Sequence, residues 1–600
     1  MKIKRIGVVA AAAAAATALA LTGCTSTSPK SEIKESTSVT IAQNGPVSSL
    51  NQLVANQYST YNGNPAALFN ASFTYFNNQQ QLVDNTKFGT YKEVSTNPLT
   101  IQYHINKGVD WSDGDPVNAA DILLQWASSI SKYNDPKGKV NFGSVNAGSG
   151  LDNITAVPTV SDNGQTVTAV FSKPYVDWKQ ALLSPALPAH VVYQEAFPTK
   201  NTSNSDADAA VIKAIQGDDQ TTLAGLAGAW STKWNVASMP SDKKLLVVDG
   251  AYQITDFVKN QYVTLALRSG YKAGPGNPSV DKITIRFISD PTAQVQALQN
   301  GEVNIISGQA TTDTLSALKQ VKNVKISNSP EASYEHVDLV VNNKGPFSPA
   351  TYGGGTAGTQ KAQLVREAYL KALPRQEIVD KLIKPLNPSA TLDDSQMFLP
   401  GSAGYNQSVA NNGSSAYSKV DISAAKQLLQ QAGVSAPTVR FAYPSDNPRR
   451  VSEFQLIQAS EAQAGFKVVG APKSTTDFFN DLPTTNWYDT SIFAWQYTSL
   501  ALTGNQAAFQ TGGASNYNGY SNKSVDADWQ KLETSTGSAA DNNALLAAID
   551  KQVWSDAYGA TLFQFPDVTA WSSNISGVSD NPLTPNVFWN YFNWKVGKKS

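Results

Sequence analysis

The chain contains one cysteine, Cys24, and it stands directly after a short apolar run near the start of the sequence. Everything that follows Cys24 must therefore fold without an internal disulfide bridge. A chain of 600 residues is too long for one hydrophobic core, so we expect two or three lobes that rely on their cores alone. Its 41% content of apolar residues suits a globular protein.

The N-terminal segment has the order of an export signal. A positively charged start precedes an apolar run at 6–20, which is shorter than the roughly 20 residues that cross a bilayer. Leu21-Thr22-Gly23-Cys24 resembles the lipobox of bacterial lipoproteins, in which the cysteine thiol is acylated and becomes the new N-terminus. An ordinary secretory signal with a chance cysteine is the alternative. We predict a signal peptide at 1–24, lipidation of Cys24 and a flexible tether at 25–37.

The charge pattern argues against a nucleic-acid partner. The 46 basic residues are balanced by 47 acidic ones, and the chain has no dense basic stripe of the kind that nucleic-acid binding requires. We interpret the short basic pairs Arg449-Arg450 and Lys598-Lys599 as solvated surface. Aromatic residues are abundant, with 12 Trp and 23 Tyr, which suits both cores and the walls of a ligand cleft.

Strand and helix patterns alternate along the chain. Leu99 to Ile105 alternates between apolar and polar residues and predicts a half-buried strand. Asn118 with Asp121 three residues later predicts a capped helix start. The interleaving of strands and helices predicts a mixed α/β fold. Segment 141–150 has loop composition, and segment 199–228 is interpreted as a surface insertion.

The run Trp111-Ser112-Asp113-Gly114-Asp115-Pro116 resembles the signature of the family-five extracellular solute-binding proteins. These are the oligopeptide- and dipeptide-binding lipoproteins of ABC importers. Further similar stretches follow in the family's order, at 297–305, 365–379, 424–429, 487–495 and 518–526.

The resemblance implies a periplasmic-binding-protein-like α/β fold, type II and cluster C-like, with two hinged lobes and an extra inserted lobe. Carried onto this chain, lobe I comprises 38–68, 186–288 and 565–600, the inserted lobe 69–185, and lobe II 289–564. The Trp111 motif then lies in the inserted lobe, away from the usual ligand cleft. We therefore interpret it as a turn that determines the fold.

Signatures of catalysis are missing from the sequence. The three histidines are scattered without metal-ligand spacing, and no Gly-x-Ser-x-Gly motif occurs. Asp113 with Asp115 and Asp393 with Asp394 are too close in sequence to promise the separated carboxyls of a glycosidase. We expect no enzymatic activity, no metal and no cofactor.

The ligand-binding candidates are Trp495, Gln496, Tyr497 and Thr498, which follow a buried-looking run. In the resembling peptide binders this strand end reaches the cleft, where its backbone pairs with the ligand like an added strand. Trp495 aligns with a Trp that lines the pocket, and plain packing between domains is the alternative.

Four further candidates are Tyr58, Tyr61 and Asn62, from the opposite lobe, and Phe563, which lies near the second hinge. For these four, packing alone is an equal alternative.

Thr498 departs from the peptide binders, which usually place there an Asp that accepts the ammonium group of the ligand. Because a hydrogen bond to a charged group is worth about 1.5–3 kcal/mol, its loss argues against a site built for free peptide amines. We hypothesise a ligand whose end at this position is blocked, longer or uncharged.

Together these features predict a monomeric, lipid-anchored protein on the extracytoplasmic face of the membrane. It would capture a peptide or peptide-like solute by closing its lobes and deliver it to an ABC permease served by cytoplasmic ATPases. An oligosaccharide importer, a regulatory envelope lipoprotein of the same fold and an exported hydrolase remain alternatives.

Overall fold

The computed structural model describes residues 37–147, 149–181, 184–308, 310–497 and 500–597. The predicted signal peptide, the lipidation site Cys24 and the tether up to residue 36 lie outside the described residues. Residues from Thr37 onward form one compact unit. Within the described part of the chain, no helix combines the length and the apolar character that crossing a bilayer requires.

The strands are β1 Ser38–Gln43, β2 Thr74–Phe76, β3 Leu82–Asp84, β4 Gly89–Thr96, β5 Leu99–Ile105, β6 Thr159–Ser161, β7 Thr166–Val170, β8 Tyr252–Val258, β9 Tyr262–Leu267, β10 Lys282–Phe287, β11 Ile305–Gly308, β12 Val324–Leu339, β13 Thr438–Pro444, β14 Lys467–Lys473, β15 Thr490–Gln496, β16 Gly559–Ser572, β17 Ile575–Ser576 and β18 Lys595–Val596.

The α-helices are α1 Thr60–Phe69, α2 Ala119–Ser129, α3 Ala189–Ala196, α4 Asn204–Gln216, α5 Gln220–Thr232, α6 Pro291–Gln299, α7 Thr312–Leu318, α8 Gly355–Ala372, α9 Arg375–Ile378, α10 Tyr405–Val409, α11 Ile422–Ala432, α12 Pro448–Ala464, α13 Thr475–Asp481, α14 Gln506–Phe509, α15 Lys523–Glu533 and α16 Ala539–Ser555.

Ten strands form one sheet, in the order β14-β13-β15-β12-β16-β11-β1-β10-β9-β8. The long strands β12 and β16 lie in its middle and pair antiparallel with each other. Residues Ser333–Leu339 of β12 pair with β15, whereas the far end of β16 pairs with β11. The register between β12 and β16 is irregular from Pro330 to Tyr334, where the two halves of the sheet meet. These two strands are therefore the covalent crossing between the halves, and the irregularity marks a place to bend.

A separate four-stranded sheet, in the order β4-β5-β7-β6, lies in the segment predicted as the inserted lobe. The side chains of β5 alternate between buried and half-buried positions, as the sequence pattern predicts. Helix α2 begins at the predicted capping box of Asn118 and Asp121 and buries Trp126. The lobe boundaries themselves stay a prediction.

Segment 199–228 is not the surface insertion that its polar composition suggested. It forms α4 and most of α5, and these helices bury Val211, Ile215, Leu223 and Leu226 in the core of the first half. The interpretation was wrong because the apolar residues recur at helical spacing between abundant Asn, Asp and Gln, so that only one face of each helix is apolar.

Candidate functional site

A cavity of about 1120 Å³ is the principal concave site of the described residues. Its walls come from segments far apart in sequence: 52–85, 125–181, 271–275, 495–515 and 584–592. Pockets for single small molecules usually measure about 300–1,000 Å³. The cavity is thus large enough for a solute of several residues or rings.

Trp495, Gln496 and Tyr497 line this cavity at the end of β15. The strand is buried from Thr490 to Phe493 and becomes half-buried at its last three residues. The Trp495 indole stacks 6.0 Å from the His336 ring, nearly parallel to it, and 6.1 Å from the ring of Tyr517. These neighbours hold the indole in place while it contributes to the cavity wall.

Gln496 is anchored by a buried carboxylate. Its Nε2 donates to Glu331 Oε1 at 2.7 Å and to Asn586 Oδ1 at 3.0 Å. Burial raises the pKa of Glu331 to about 7, while its hydrogen bond from Ser333 acts in the opposite direction. Gln496 therefore joins the hinge strand β12 and the C-terminal segment beneath the cavity.

Tyr497 is fixed through its backbone and its hydroxyl. The backbone N–H of Tyr497 donates to Ala332 O at 2.8 Å, and its carbonyl accepts from Thr584 N at 3.3 Å. Asn505 Nδ2 donates to the phenol oxygen of Tyr497 at 2.8 Å. Both backbone polar groups of Tyr497 are thus engaged by the protein, so the ring is what it offers to the cavity.

The outer edge of β15 is open beyond its first residues. Strand β13 pairs with β15 only at Thr490 and Ser491, whereas β12 continues along the other edge to Gln496. Over 492–496, the described residues supply no strand partner for the outer edge. Such an edge exposes backbone groups that an extended ligand can pair with.

The cavity wall is polar but almost free of charge. Among its described lining residues there is no Lys, Arg, Glu or His, and Asp177 is the single ionisable acid. Its Oδ1 accepts from Leu502 N at 2.8 Å, and its Oδ2 accepts from both the backbone N–H and the hydroxyl of Thr503 at 2.8 Å. The wall therefore offers amide, hydroxyl and aromatic groups to a ligand.

Asp177 also joins two walls of the cavity. The segment around it makes further contacts of the same kind: Gln180 Oε1 accepts from Leu500 N at 2.9 Å, and Val176 N donates to Glu533 O at 2.8 Å. We call the contacts of Asp177 and Gln180 with residues 500–503 the latch. They connect the segment around Asp177 to residues 500–503.

The remaining candidates have different locations. Tyr58 lines the cavity and is 40% exposed. Tyr61 does not line it, since its ring packs against Gly45, where a Cβ atom would lie only 2.6 Å from Tyr61 Cδ2. Asn62 is buried outside the lining, with its amide bound to Ser48 and Gln57. Thr498 lies outside the described residues.

Phe563 is fully buried and does not line the cavity. The guanidinium group of Arg449 lies 5.5 Å from the centroid of its ring. Arg449 and Arg450 are themselves buried, which makes the interpretation of this pair as solvated surface wrong. Both bind Glu335 on β12, through Arg449 Nη1 at 3.2 Å and Arg450 Nε at 2.7 Å, and this pairing compensates the charge that a basic dipeptide buries.

Sequence reasoning missed much of the cavity wall, because its residues share neither a motif nor a spacing. They are Tyr75, Gln125, Asn134, Asn146, Tyr175, Tyr271, Asn505, Gln510, Trp589 and Tyr591, among others. The one available signal was the Asn- and Gly-rich composition of 141–150, which was interpreted only as a loop.

The family model of the bacterial extracellular solute-binding proteins, family 5 Middle, matches residues 89–517. The oligopeptide-binding protein OppA of Mycobacterium tuberculosis is 22% identical over 509 residues, which cover 82% of this chain and 74% of OppA. The uncharacterized lipoprotein ML0489 of Mycobacterium leprae is 24% identical over 545 residues, with 87% of each chain covered.

Two solved structures share the fold. The periplasmic EDTA-binding protein EppA superimposes with a TM-score of 0.75 at 22% identity, covering 94% of this chain and 97% of EppA. The oligopeptide-binding protein AppA of Bacillus subtilis, in complex with a nonapeptide, gives 0.68 at 17% identity and covers 94% and 99%. These likenesses confirm the predicted α/β fold with two hinged lobes.

Proposed function

The chain belongs to the bacterial extracellular solute-binding proteins of family 5, and on that premise we propose that it captures a peptide-like solute without net charge and delivers it to an ABC permease. The observation that carries the proposal is the cavity, whose described wall contains no basic side chain and one acid that is already engaged. The protein binds its solute and leaves it chemically unchanged.

An extended backbone suits the open edge of β15. Peptide N–H and C=O groups of the ligand pair with the end of β15 that lines the cavity, at Trp495 and Gln496, while Trp495 and Tyr58 contact its side chains. Main-chain pairing supplies affinity without regard to sequence, and the neutral wall selects against charged side chains. The name of the relative OppA supports peptide as the ligand class.

The same wall distinguishes this protein from a binder of polyanions. A ligand with several carboxylates requires basic partners, because burying an unpaired charge is costly. The described lining of this cavity offers none. We therefore do not extend the EDTA ligand of the structural neighbour EppA to this chain.

Binding proceeds by closure of the two halves about β12 and β16. In the open form the latch is broken and the cavity walls are separated. The solute favours the closed form because it contacts both walls, and the permease recognises that form. We further propose a monomer held on the extracytoplasmic face of the membrane by lipid on Cys24, in line with the related lipoprotein of M. leprae.

An oligosaccharide is the second candidate ligand. Trp495, Trp589 and Tyr58 all line the cavity, and aromatic faces stack on sugar rings while amide and hydroxyl groups bind their oxygens. The two ligand classes differ in their use of the β15 edge, since a sugar has no backbone that pairs with it.

Calorimetry on matched ligands tests the proposal. The panel contains neutral peptides of four to eight residues with free or blocked ends, the same lengths carrying Asp or Lys, and neutral oligosaccharides. We expect the blocked neutral peptides to bind most tightly. Tight binding of free-amine di- to pentapeptides that N-acetylation abolishes would refute the proposal, and preferential binding of oligosaccharides would favour the second candidate.

A further inference from the structure

Three potential metal ligands lie close together next to the turn that follows Trp111, and none of them lines the cavity. They are Asp115 in the turn, His190 on α3 and Asp208 on α4, and their ligand atoms all lie within 4.8 Å of one another. His190 Nδ1 lies 3.4 Å from Asp115 Oδ2 and 3.9 Å from Asp208 Oδ1.

The atoms that face one another have no hydrogen-bond partner. Asp115 Oδ2, His190 Nδ1 and Asp208 Oδ1 are all buried and form no hydrogen bond, and only a protonated His190 would form ion pairs with the two carboxylates at these distances. The His190 side chain is 1% exposed, so solvent does not solvate its nitrogen. Because a buried polar atom without a partner is costly, three such atoms that face one another indicate a shared partner.

The surrounding hydrogen bonds orient these atoms toward the gap between them. His190 Nε2 lies 2.9 Å from Asp113 Oδ2, and because a carboxylate accepts, the nitrogen donates. In the neutral imidazole, that bond places the proton on Nε2 and leaves the lone pair of Nδ1 free to bind a cation, the arrangement of a carboxylate–histidine–metal relay. Asn118 Nδ2 donates to Asp208 Oδ2 at 2.6 Å, which leaves Oδ1 as the free oxygen.

We propose that Asp115, His190 and Asp208 bind one divalent transition-metal ion, for which Zn²⁺ is the best match. Zinc bonds of about 2.1 Å at tetrahedral angles place ligand atoms about 3.4 Å apart, close to the separations seen here. One imidazole nitrogen among carboxylates suits zinc better than calcium, which prefers six to eight oxygen ligands. The Asp115 side chain is 17% exposed, so water can occupy the fourth position.

A neighbouring carboxylate is committed elsewhere and leaves three protein ligands. Asp121 Oδ1 accepts from Ala189 N at 2.8 Å, and its Oδ2 accepts from Asn118 N and from the Trp111 indole. With Asp121 bound to these donors, Asp115, His190 and Asp208 are the groups whose ligand atoms face the gap.

The ion would have a structural role. Its ligands come from a turn and two helices, so one ion would join α3 and α4 to the turn. None of the three residues lines the cavity. Metal binding and solute binding can therefore be tested independently, and failure of one leaves the other intact.

Zinc titration of the purified, chelator-stripped protein tests this site, with His104→Gln as the matched control. His104 lies in the small sheet, where its Nδ1 contacts Thr166 Oγ1 at 2.9 Å. We expect one Zn²⁺ per chain in the wild type and in the control. Asp208→Asn and His190→Gln should abolish this binding, and Asp113→Asn should weaken it about 10–100-fold because it removes only the relay.

Cobalt substitution gives an independent readout. Co²⁺ should produce the visible absorption of a four-coordinate site in the wild type and not in His190→Gln. If that variant fails to fold by circular dichroism, Asp115→Asn, on the more exposed side, replaces it. Wild-type protein that binds no Zn²⁺ at micromolar concentrations, or a folded Asp208→Asn variant that binds it normally, would overturn the assignment, and a shared proton would then be the partner of these atoms.

Discussion

At the scale of residues, Trp495 is the aromatic side chain on which ligand affinity should depend most. It belongs to the cavity wall, and its ring packs against His336, Phe493 and Tyr517 before any ligand arrives. A preorganised aromatic ring loses little entropy on binding, so its contact area is converted efficiently into affinity.

Replacement of Trp495 should therefore weaken binding more than it weakens the fold. We expect Trp495→Ala to raise the Kd about 30-fold, corresponding to about 2 kcal/mol, and Trp495→Phe to retain part of the affinity. Calorimetry with the best neutral peptide measures this. Trp487→Phe is the control, since Trp487 does not line the cavity and its indole donates to Asp481 O at 3.0 Å. Equal loss in both variants would contradict a binding role for Trp495.

Glu331 should make stability depend on pH. Burial raises its pKa to about 7, so between roughly pH 4.5 and 7 the folded protein retains a proton that the unfolded chain releases. The free energy of unfolding therefore falls as the pH rises through this window. In the Glu331→Gln variant, the free energy of unfolding should fall by about 1–3 kcal/mol less over this pH window than in the wild type. The carbonyl oxygen of the new side chain still accepts the hydrogen bond from Gln496.

Urea unfolding at pH 5 and at pH 8 measures the effect. The exposed Glu377, which pairs with Lys381, provides the control Glu377→Gln. If the free energy of unfolding changes by the same amount between pH 5 and pH 8 in the wild type and in Glu331→Gln, then Glu331 does not hold the proton.

The sequence was informative for residues whose role is local. The apolar run before Trp495 predicted a buried strand, the family resemblance placed the end of that strand in the cleft, and in the structure Trp495, Gln496 and Tyr497 line the cavity. The positions of Asn62 and Phe563 were not predictable, because their partners Ser48 and Arg449 are set by tertiary packing. Asp115, His190 and Asp208 likewise have no motif spacing and meet only in the folded chain.

At the scale of elements, the two halves of the protein are connected at two places, by the hinge strands and by the latch. β12 and β16 connect the halves at the irregular register near Pro330, and Asp177 connects them again across the cavity. If the halves open as we propose, the three hydrogen bonds to Asp177 must break, and we therefore expect this carboxylate to stabilise the closed form.

Asp177→Asn should shift the equilibrium toward the open form. The Asn side chain has one accepting oxygen where Asp177 has two, so its amide nitrogen faces either Leu502 or Thr503 and at least one of the three bonds is lost. We expect the Kd for solute to rise about tenfold, with little change in the thermal stability of the halves.

Asp152→Asn is a closely matched control for this variant. Asp152 also accepts from the backbone N–H and the hydroxyl of one residue, Ser131, but on the same side of the cavity. Fluorescence transfer between dyes on the two halves reports closure. If the Asp177→Asn protein closes and binds solute like the Asp152→Asn protein, the contacts of Asp177 do not stabilise the closed form.

Sequence patterns predicted elements well where one face or one cap determines them. β5 and the capping box of α2 follow directly from alternation and from Asn118. The pattern failed for α4 and α5, whose polar composition concealed their buried face. No local pattern reports that β12 spans both halves of the sheet, since this depends on pairing with strands distant in sequence.

At the scale of the whole molecule, the chain is a family 5 solute-binding protein for which we propose a lipid anchor and closure over its ligand. The family resemblance carried by the Trp111 run and the later stretches is confirmed, and with it the class of solute-binding proteins. The order of lobes along the chain stays a prediction that follows from that resemblance alone. The neutrality of the cavity could not, because it is a property of a wall assembled from five separated segments.

Lipidation is tested by the variant Cys24→Ser. Because serine cannot form the thioether, we expect this protein to leave the membrane fraction and appear in the soluble extracytoplasmic fraction, while its solute affinity stays unchanged. Detergent phase partitioning and incorporation of labelled fatty acid measure the change. Wild-type protein that takes up no label would show that the segment is an ordinary secretory signal.

Small-angle X-ray scattering with and without a saturating neutral peptide tests the central claim most directly. We predict that the peptide lowers the radius of gyration of the wild type, that the Trp495→Ala protein responds only at higher peptide concentration, and that the peptide is recovered intact. A scattering profile that stays the same while calorimetry records binding, or a peptide recovered in cleaved form, would contradict capture by closure.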